Sequence, residues 1–299
     1  MQVPTSLFYD GSSKRMSALN ARAGVLQVQI ATGKKLMAPS DDAVASQQLA
    51  EFRRRDADAK VYGGNMKIAG ALLSQADSTL DAIETQIQGA IELTTRAGNG
   101  TMSVDNRRVI GAELSAIVGQ LVDLGNTKDL RGQPLFGSAG GVKAVQRAAD
   151  GSFSFASTTV SPIPIADGQT IQATETAERV FAPNGAGNDI FTVLSTLAAA
   201  LEAGTADGDD ASDALDALYA AGDQVDLVRA SMGARGARIE LAQAMLTETN
   251  TNREELRSSL EDVDVTAAIT ELQKTMTVLQ ATQASFAKLS SLSLFSYLR

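Results

Sequence analysis

The sequence predicts a mainly α-helical protein with a small β insert, built as paired terminal coiled-coil helices and an elongated helical bundle. Three observations predict it. Near the start, Leu19, Ala23, Leu26 and Ile30 recur at steps of four, three and four. Near the finish, Val265, Ile269, Leu272, Met276, Leu279, Gln283 and Phe286 recur in the same way. Such spacing draws a narrow apolar stripe along one side of a helix, the kind that a coiled-coil partner covers. Between the two ends the periodicity gives way, over residues 134–183, to short Val-, Ile-, Thr- and Phe-rich runs separated by Asp-Gly pairs. Two stripes at opposite ends of a chain, with a folded body between them, predict that the ends pair with each other or with neighbouring subunits.

Each element follows from local chemistry. The first helix is expected over 5–32, closed by Gly33 as C-cap with Lys34 and Lys35 beyond it. Ser40 is expected to cap a second helix, with Asp41 and Asp42 in a first turn that favours negative charge. That helix runs to about 96 on the stripe Ile68, Leu72, Ala76, Leu80, Ile83, Ile87 and Ile91, with Gly63-Gly64 as a possible break. Gly98-Asn99-Gly100 makes a turn, and Ser103 caps a third helix whose apolar face is Ile110, Leu114, Ile117, Leu121 and Leu124. Asp150-Gly151 and Asp167-Gly168 each sit between β-leaning runs, which is hairpin chemistry. Helices resume at 189–203, and a very long one starts at about 211. Its seam reads Val225, Val228, Met232, Arg235, Ile239, Ala242, Leu246, Thr249, Arg253, Leu256, Leu260 and Val263. The acidic run Glu261-Asp262-Val263-Asp264 marks a joint before the terminal helix. The expected domains are a terminal coiled-coil assembly domain (1–40 with 263–299), an α-helical bundle (41–133 with 184–262) and a small β subdomain (134–183).

Composition narrows the function. The chain has 299 residues, 44% of them apolar, with 4% aromatics and no tryptophan. That suits helix packing through Ala, Leu, Val and Ile. Cysteine and histidine are both absent. Disulfides, thiolate zinc sites, cysteine nucleophiles and the commonest general base go with them, so the chain reads as a non-enzyme with no cofactor. Net charge is −9. Residues 1–40 carry five basic side chains against Asp10 alone, residues 263–299 carry +1, and the remainder holds −14. An acidic middle argues against a nucleic-acid partner. The most apolar window, near 192–201, is about half of the roughly 20 residues a membrane span needs. The first residues have no charged leader with an apolar run, so export is expected to use a route without a cleaved signal.

Other candidate sites yield to plainer readings. Asp41 and Asp42 point about 100° apart on a helix and do not converge as a catalytic pair. The acidic stretch 207–213 lacks the alternating oxygens and closing Glu of a calcium loop. Arg53, Arg54 and Arg55 spread around a helix as a solvated or interface face. Gly137, Gly140 and Gly141 lack the Lys-Ser/Thr spacing of a phosphate loop. The final stretch, Leu292-Ser293-Leu294-Phe295-Ser296-Tyr297-Leu298-Arg299, is apolar where chain ends are normally polar, and is expected to be covered by a partner.

Three stretches resemble one family, the bacterial flagellins and the related hook-filament junction proteins. They are Ala31-Thr32-Gly33-Lys34-Lys35-Leu36-Met37-Ala38-Pro39-Ser40-Asp41-Asp42, Val228-Arg229-Ala230-Ser231-Met232-Gly233-Ala234-Arg235, and Leu292-Ser293-Leu294-Phe295. Pro39-Ser40-Asp41-Asp42, Asn99-Gly100-Thr101-Met102-Ser103 and the Leu-Ser-Leu-Phe ending lean to the junction branch, while Leu298-Arg299 has a flagellin flavour. The resemblance implies a flagellin-like fold and a structural role joining hook to filament, with flagellin itself as the alternative. It implies an extracellular place in the flagellum, reached through the type III export apparatus. Implied partners are a homo-oligomeric ring of about eleven subunits, another hook-associated protein, flagellin and an export chaperone. Leu7, Leu19, Leu26, Ile30, Leu279, Phe286, Leu294 and Phe295 are the expected assembly contacts.

Overall fold

The computed structural model describes residues 3–129, 131–137, 143–158, 161–182 and 189–297, with side chains among them from 9 to 289. In chain order the elements are α1 (Val3–Thr32), α2 (Ala43–Ala97), α3 (Val104–Gly125), β1 (Val145–Arg147), β2 (Phe153–Phe155), β3 (Ile163–Ala166), β4 (Gln169–Ile171), α4 (Ala177–Phe181), α5 (Ile190–Ala203), α6 (Gly208–Glu261) and α7 (Val265–Tyr297). They form two compact units, residues 1–57 with 248–299, and residues 58–247. The division falls inside α2 and α6, and the first unit contains both terminal segments, 1–40 and 263–299. The helix breaks near 40 and 263 belong to the interior of the first unit.

The helix signals resolve with local corrections. Asp42, not Ser40, caps α2: its carboxylate accepts from the Val44 and Ala45 N–H groups at 3.0 and 2.9 Å. Asp41 instead turns back to the N–H groups of Met37 and Ala38. Gly63-Gly64 does not break α2, which runs unbroken for 55 residues. Helix α6 starts earlier than expected because Asp207 caps it, accepting from the Asp209 and Asp210 N–H groups, while Asp210 accepts from that of Asp207. The acidic stretch is thus a reciprocal cap. Ser103 caps α3 as expected, accepting from the Asn106 N–H.

In the second unit one core gathers helices and strands together. Leu80, Ile83 and Ile87 of α2, Leu114 and Leu121 of α3, and Leu194 and Leu201 of α5 are buried in it, together with Val225, Val228, Met232 and Ile239 of α6. Ile68, expected in the α2 stripe, is exposed, and Met66 and Ala69 are buried in its place. Helix α3 lies so close to α5 that a Cβ on Gly111 would sit 2.8 Å from the Ala198 carbonyl oxygen.

The two Asp-Gly pairs make the two hairpins. β1 pairs antiparallel with β2, and β3 with β4, each as a separate two-stranded sheet. Gly151 and Gly168 take φ +90° and +64° at the turns, which a side chain would resist. A two-stranded hairpin is marginal alone. Here Phe153 stacks on Phe191 of α5, with ring centroids 5.2 Å apart, and Phe181 of the short α4 meets Phe191 edge-on at 5.0 Å. Asn126, at the C-terminal end of α3, ties β1 to that helix. Its side chain donates to the Val122 and Val145 carbonyls and accepts from the Ala144 and Val145 N–H groups.

Candidate assembly interface

The first unit is built on α1 and α7, which pack along each other. On α1 the inward apolar side chains include Met16, Leu19, Ala23, Leu26 and Ile30, with Leu26 only 3% exposed, and Ser12 and Gln29 are half-buried beside them. The expected α1 stripe therefore faces α7. At the far end the rings of Tyr9 and Phe286 meet edge-on, 5.3 Å apart, a favoured aromatic geometry.

On α7 the seam differs from the one the spacing suggested. Leu272, Leu279 and Phe286 do face inward, but the alternate positions are Ala268, Thr275 and Thr282. Val265, Ile269, Met276 and Gln283 are exposed, the three apolar ones at 40% or more. Stepping three or four residues from the leucines fits both choices, so the pattern alone could not decide. Small side chains at a helix contact let the axes approach. The Thr282 hydroxyl donates to the Val278 carbonyl at 2.7 Å, so it faces inward without an unmet donor. The stripe found from the sequence therefore lies partly on the outside of the pair, where Val25 and Val28 of α1 are also exposed.

The long α6 seam shifts in the same manner. Thr249 and Leu256 are exposed, and Asn250 and Arg257 turn inward in their place, while Arg253 and Leu260 face inward as expected. Arg253 donates to Asp56 of α2 at 2.6 Å and to Asn250 at 3.0 Å. Two helix breaks lie beside this polar stretch. Gly33 ends α1 with φ +72°, and Asp264 caps α7 by accepting from the Ala267 N–H. Between them, the Lys35 N–H donates to the Glu261 carbonyl at 2.8 Å and the Val263 N–H to the Gly33 carbonyl at 2.9 Å. Lys34 forms an ion pair with Glu261, and the Lys35 ammonium donates to the Ser259 carbonyl.

Following this joint, the N–H of Ala38, and then that of Met37, hold the Asp41 carboxyl below its usual range. Of the three arginines, Arg54 and Arg55 pair with Glu51 on their own helix, and Arg53 is exposed. These contacts fix side chains locally and bring no acid–base pair together. Among the described residues there is no group of three or more potential metal ligands, and no helix long and apolar enough to cross a membrane.

Of the residues expected to make assembly contacts, Leu26 and Leu279 are buried within the α1–α7 pair and Leu19, Ile30 and Phe286 are half-buried there. Leu7, Leu294 and Phe295 belong to the same helices, but their side chains lie outside the described residues. The expectation missed Ala268, Thr275 and the pairing of the 261–264 joint with Gly33, Lys34 and Lys35. The only sequence signal for the joint was the coincidence of a glycine cap near one end with an acidic break near the other.

Residues 12–140 match the bacterial flagellin N-terminal helical region, and residues 215–298 the bacterial flagellin C-terminal helical region. Flagellar hook-associated protein 3 of Escherichia coli K12 is 27% identical over 323 aligned residues, covering 99% of both chains. Flagellin of Listeria monocytogenes is 23% identical, covering 92% of this chain and 90% of that one. Two solved structures share the fold. FlgL of Bacillus cereus has 21% identity and a TM-score of 0.58, covering 70% of this chain and 99% of its own. The flagellar junction protein FlgL of Legionella pneumophila has 14% identity and a TM-score of 0.57, covering 73% of this chain and all of its own. Matched at both helical ends and in the fold between them, the chain belongs to the bacterial flagellin family.

Proposed function

We propose that this chain is the adaptor joining hook to filament. In this reading it forms a homo-oligomeric ring outside the cell, between another hook-associated protein and flagellin, after chaperone-assisted export without a cleaved signal. It acts by surface matching, not catalysis, and needs no cofactor, metal, nucleic acid or membrane. The observation that carries the reading is alignment over 99% of both chains with flagellar hook-associated protein 3, at a higher identity than the flagellin match reaches. That flagellin match supports flagellin itself as the second reading.

The terminal segments 1–40 and 263–299 supply the assembly domain. Leu19, Leu26, Ile30, Leu279 and Phe286 hold it together as a pair, and the outward Val265, Ile269 and Met276 offer apolar surface to neighbouring subunits. Leu7, Leu294 and Phe295 extend the contact at the ends. The deciding experiment is an image of labelled protein on intact flagella. A single band at the filament base is the expected result. Label along the whole filament would establish the flagellin reading instead.

A further inference from the structure

Asn-Gly occurs twice in the chain, at 99–100 and at 184–185. The second pair lies outside the described residues. The first joins α2 to α3 in a hydrogen-bonded turn. The Met102 N–H donates to the Asn99 carbonyl at 3.1 Å, and the Asn99 N–H to the Arg96 carbonyl at 3.2 Å. Met102 is half-buried against the core of the second unit, which anchors one end of the turn. The last residues of α2 anchor the other. Asn99, Gly100 and Thr101 themselves are exposed.

Two donors hold the side-chain amide of Asn99 on this turn. Its Oδ1 accepts from the Thr101 hydroxyl at 2.9 Å and from the Thr101 N–H at 3.2 Å. The bond to the Thr101 N–H closes a ring that contains the Gly100 peptide. Among the described residues no hydrogen bond occupies the Gly100 N–H or the Asn99 Nδ2. No atom beyond its chain neighbours comes within 4 Å of the place a Cβ on Gly100 would take. A backbone nitrogen, an amide carbon and two donors on that amide's oxygen are thus gathered in one exposed turn.

We propose that Asn99 is a self-modifying residue, converted by its own turn through a succinimide to aspartate and isoaspartate. Hydroxide takes the Gly100 N–H proton, and the nitrogen attacks Cγ of Asn99. An N–Cγ bond forms, the Cγ–Nδ2 bond breaks, and ammonia leaves after taking a proton from water. Negative charge collects on Oδ1 during the attack. The two Thr101 donors already point at that atom, as in an oxyanion hole. Water then adds to either carbonyl of the ring. One opening gives aspartate, and the other gives isoaspartate, whose main chain is longer by one carbon. Water and hydroxide are the only co-reactants. Either product adds a negative charge just beyond the C-terminus of α2, where the helix dipole disfavours it. Aspartate still accepts from Thr101 and keeps the turn, whereas isoaspartate displaces the carbonyl that accepts from Met102. The inference rests on this turn alone and does not depend on the proposed function.

The test follows residue 99 in the full chain held at neutral to mildly alkaline pH. Peptide mass spectrometry reads the loss of the amide, and enzymatic methylation scores isoaspartate. The same chain unfolded in guanidinium chloride is the reference. Conversion should be faster in the folded chain than in the unfolded one, and should rise with pH. T101V removes the hydroxyl donor at an exposed position. It should slow the folded reaction by about two- to tenfold, the worth of one hydrogen bond, and leave the unfolded rate unchanged. T101S should restore the folded rate. An Asn99 that stays intact in the folded chain, or converts more slowly there than in guanidinium, overturns the proposal, because the turn would then protect the amide. Equal folded rates for T101V and the native chain overturn it as well, since the donors would give the attack no assistance.

Discussion

Gly111 shows how much one residue decides. Replacing glycine by alanine inside a helix ordinarily favours folding by up to about 1 kcal/mol. Here the new methyl would meet the Ala198 carbonyl and the Glu202 side chain at 2.8 and 2.9 Å, and α3 would have to move off α5. G111A is expected to destabilise the protein by roughly 1–3 kcal/mol, as overpacking does, read as a lowered unfolding midpoint. An unchanged or raised midpoint would place α3 farther from α5. Asp41 gives a pH prediction. Its folded pKa lies below the ordinary value because of the Ala38 and Met37 N–H groups. The turn it holds is therefore fully stabilised above about pH 4, and that stabilisation is lost as pH falls through the depressed folded value. Amide exchange at Met37 and Ala38 should speed up only in that acid range, and D41N should be fast at every pH.

Among the elements, α7 invites a paired test because its two faces have separate roles. L279D puts a charge into the α1–α7 seam, where Leu279 is 9% exposed. Burying an unpaired charge is costly enough to separate a two-helix pair. M276D puts the same charge on the outward face, where Met276 is 43% exposed, and should leave the pair intact. If both faces serve assembly, both variants should be secreted and neither incorporated, but only L279D should lose helicity in the free chain. Incorporation of M276D at the normal level would remove the outer stripe from the interface. The element scale is also where sequence reading was least secure. In α7, and in α6 beyond Leu246, three-and-four spacing admitted two faces, and the apolar one was chosen. The inward positions proved to include Thr275, Thr282, Asn250 and Arg257, with Arg253 inward as expected. Residue type is a poor guide to facing where a seam is narrow, because small or paired polar side chains pack there as readily as large apolar ones.

For the whole molecule, the functional prediction is one of number and place. An adaptor should be present in small copy number at the base of each filament. Cells lacking the chain should secrete flagellin into the medium while their hooks stay bare, a result read by microscopy and by assay of the culture fluid. Hooks that still carry filaments would exclude the adaptor role. The sequence by itself determined the helical class, the pairing potential of both ends, the two Asp-Gly hairpins and the caps at Ser103 and Gly33. These depend on interactions within a few residues, or on a periodicity that survives any arrangement of partners. Only the tertiary structure decided which face of α7 meets α1, that the hairpins share one core with α3 and α5, and that the breaks at Gly33 and Asp262 cross at one level. Each of these depends on residues far apart in the chain meeting in space, and no local pattern specifies that meeting.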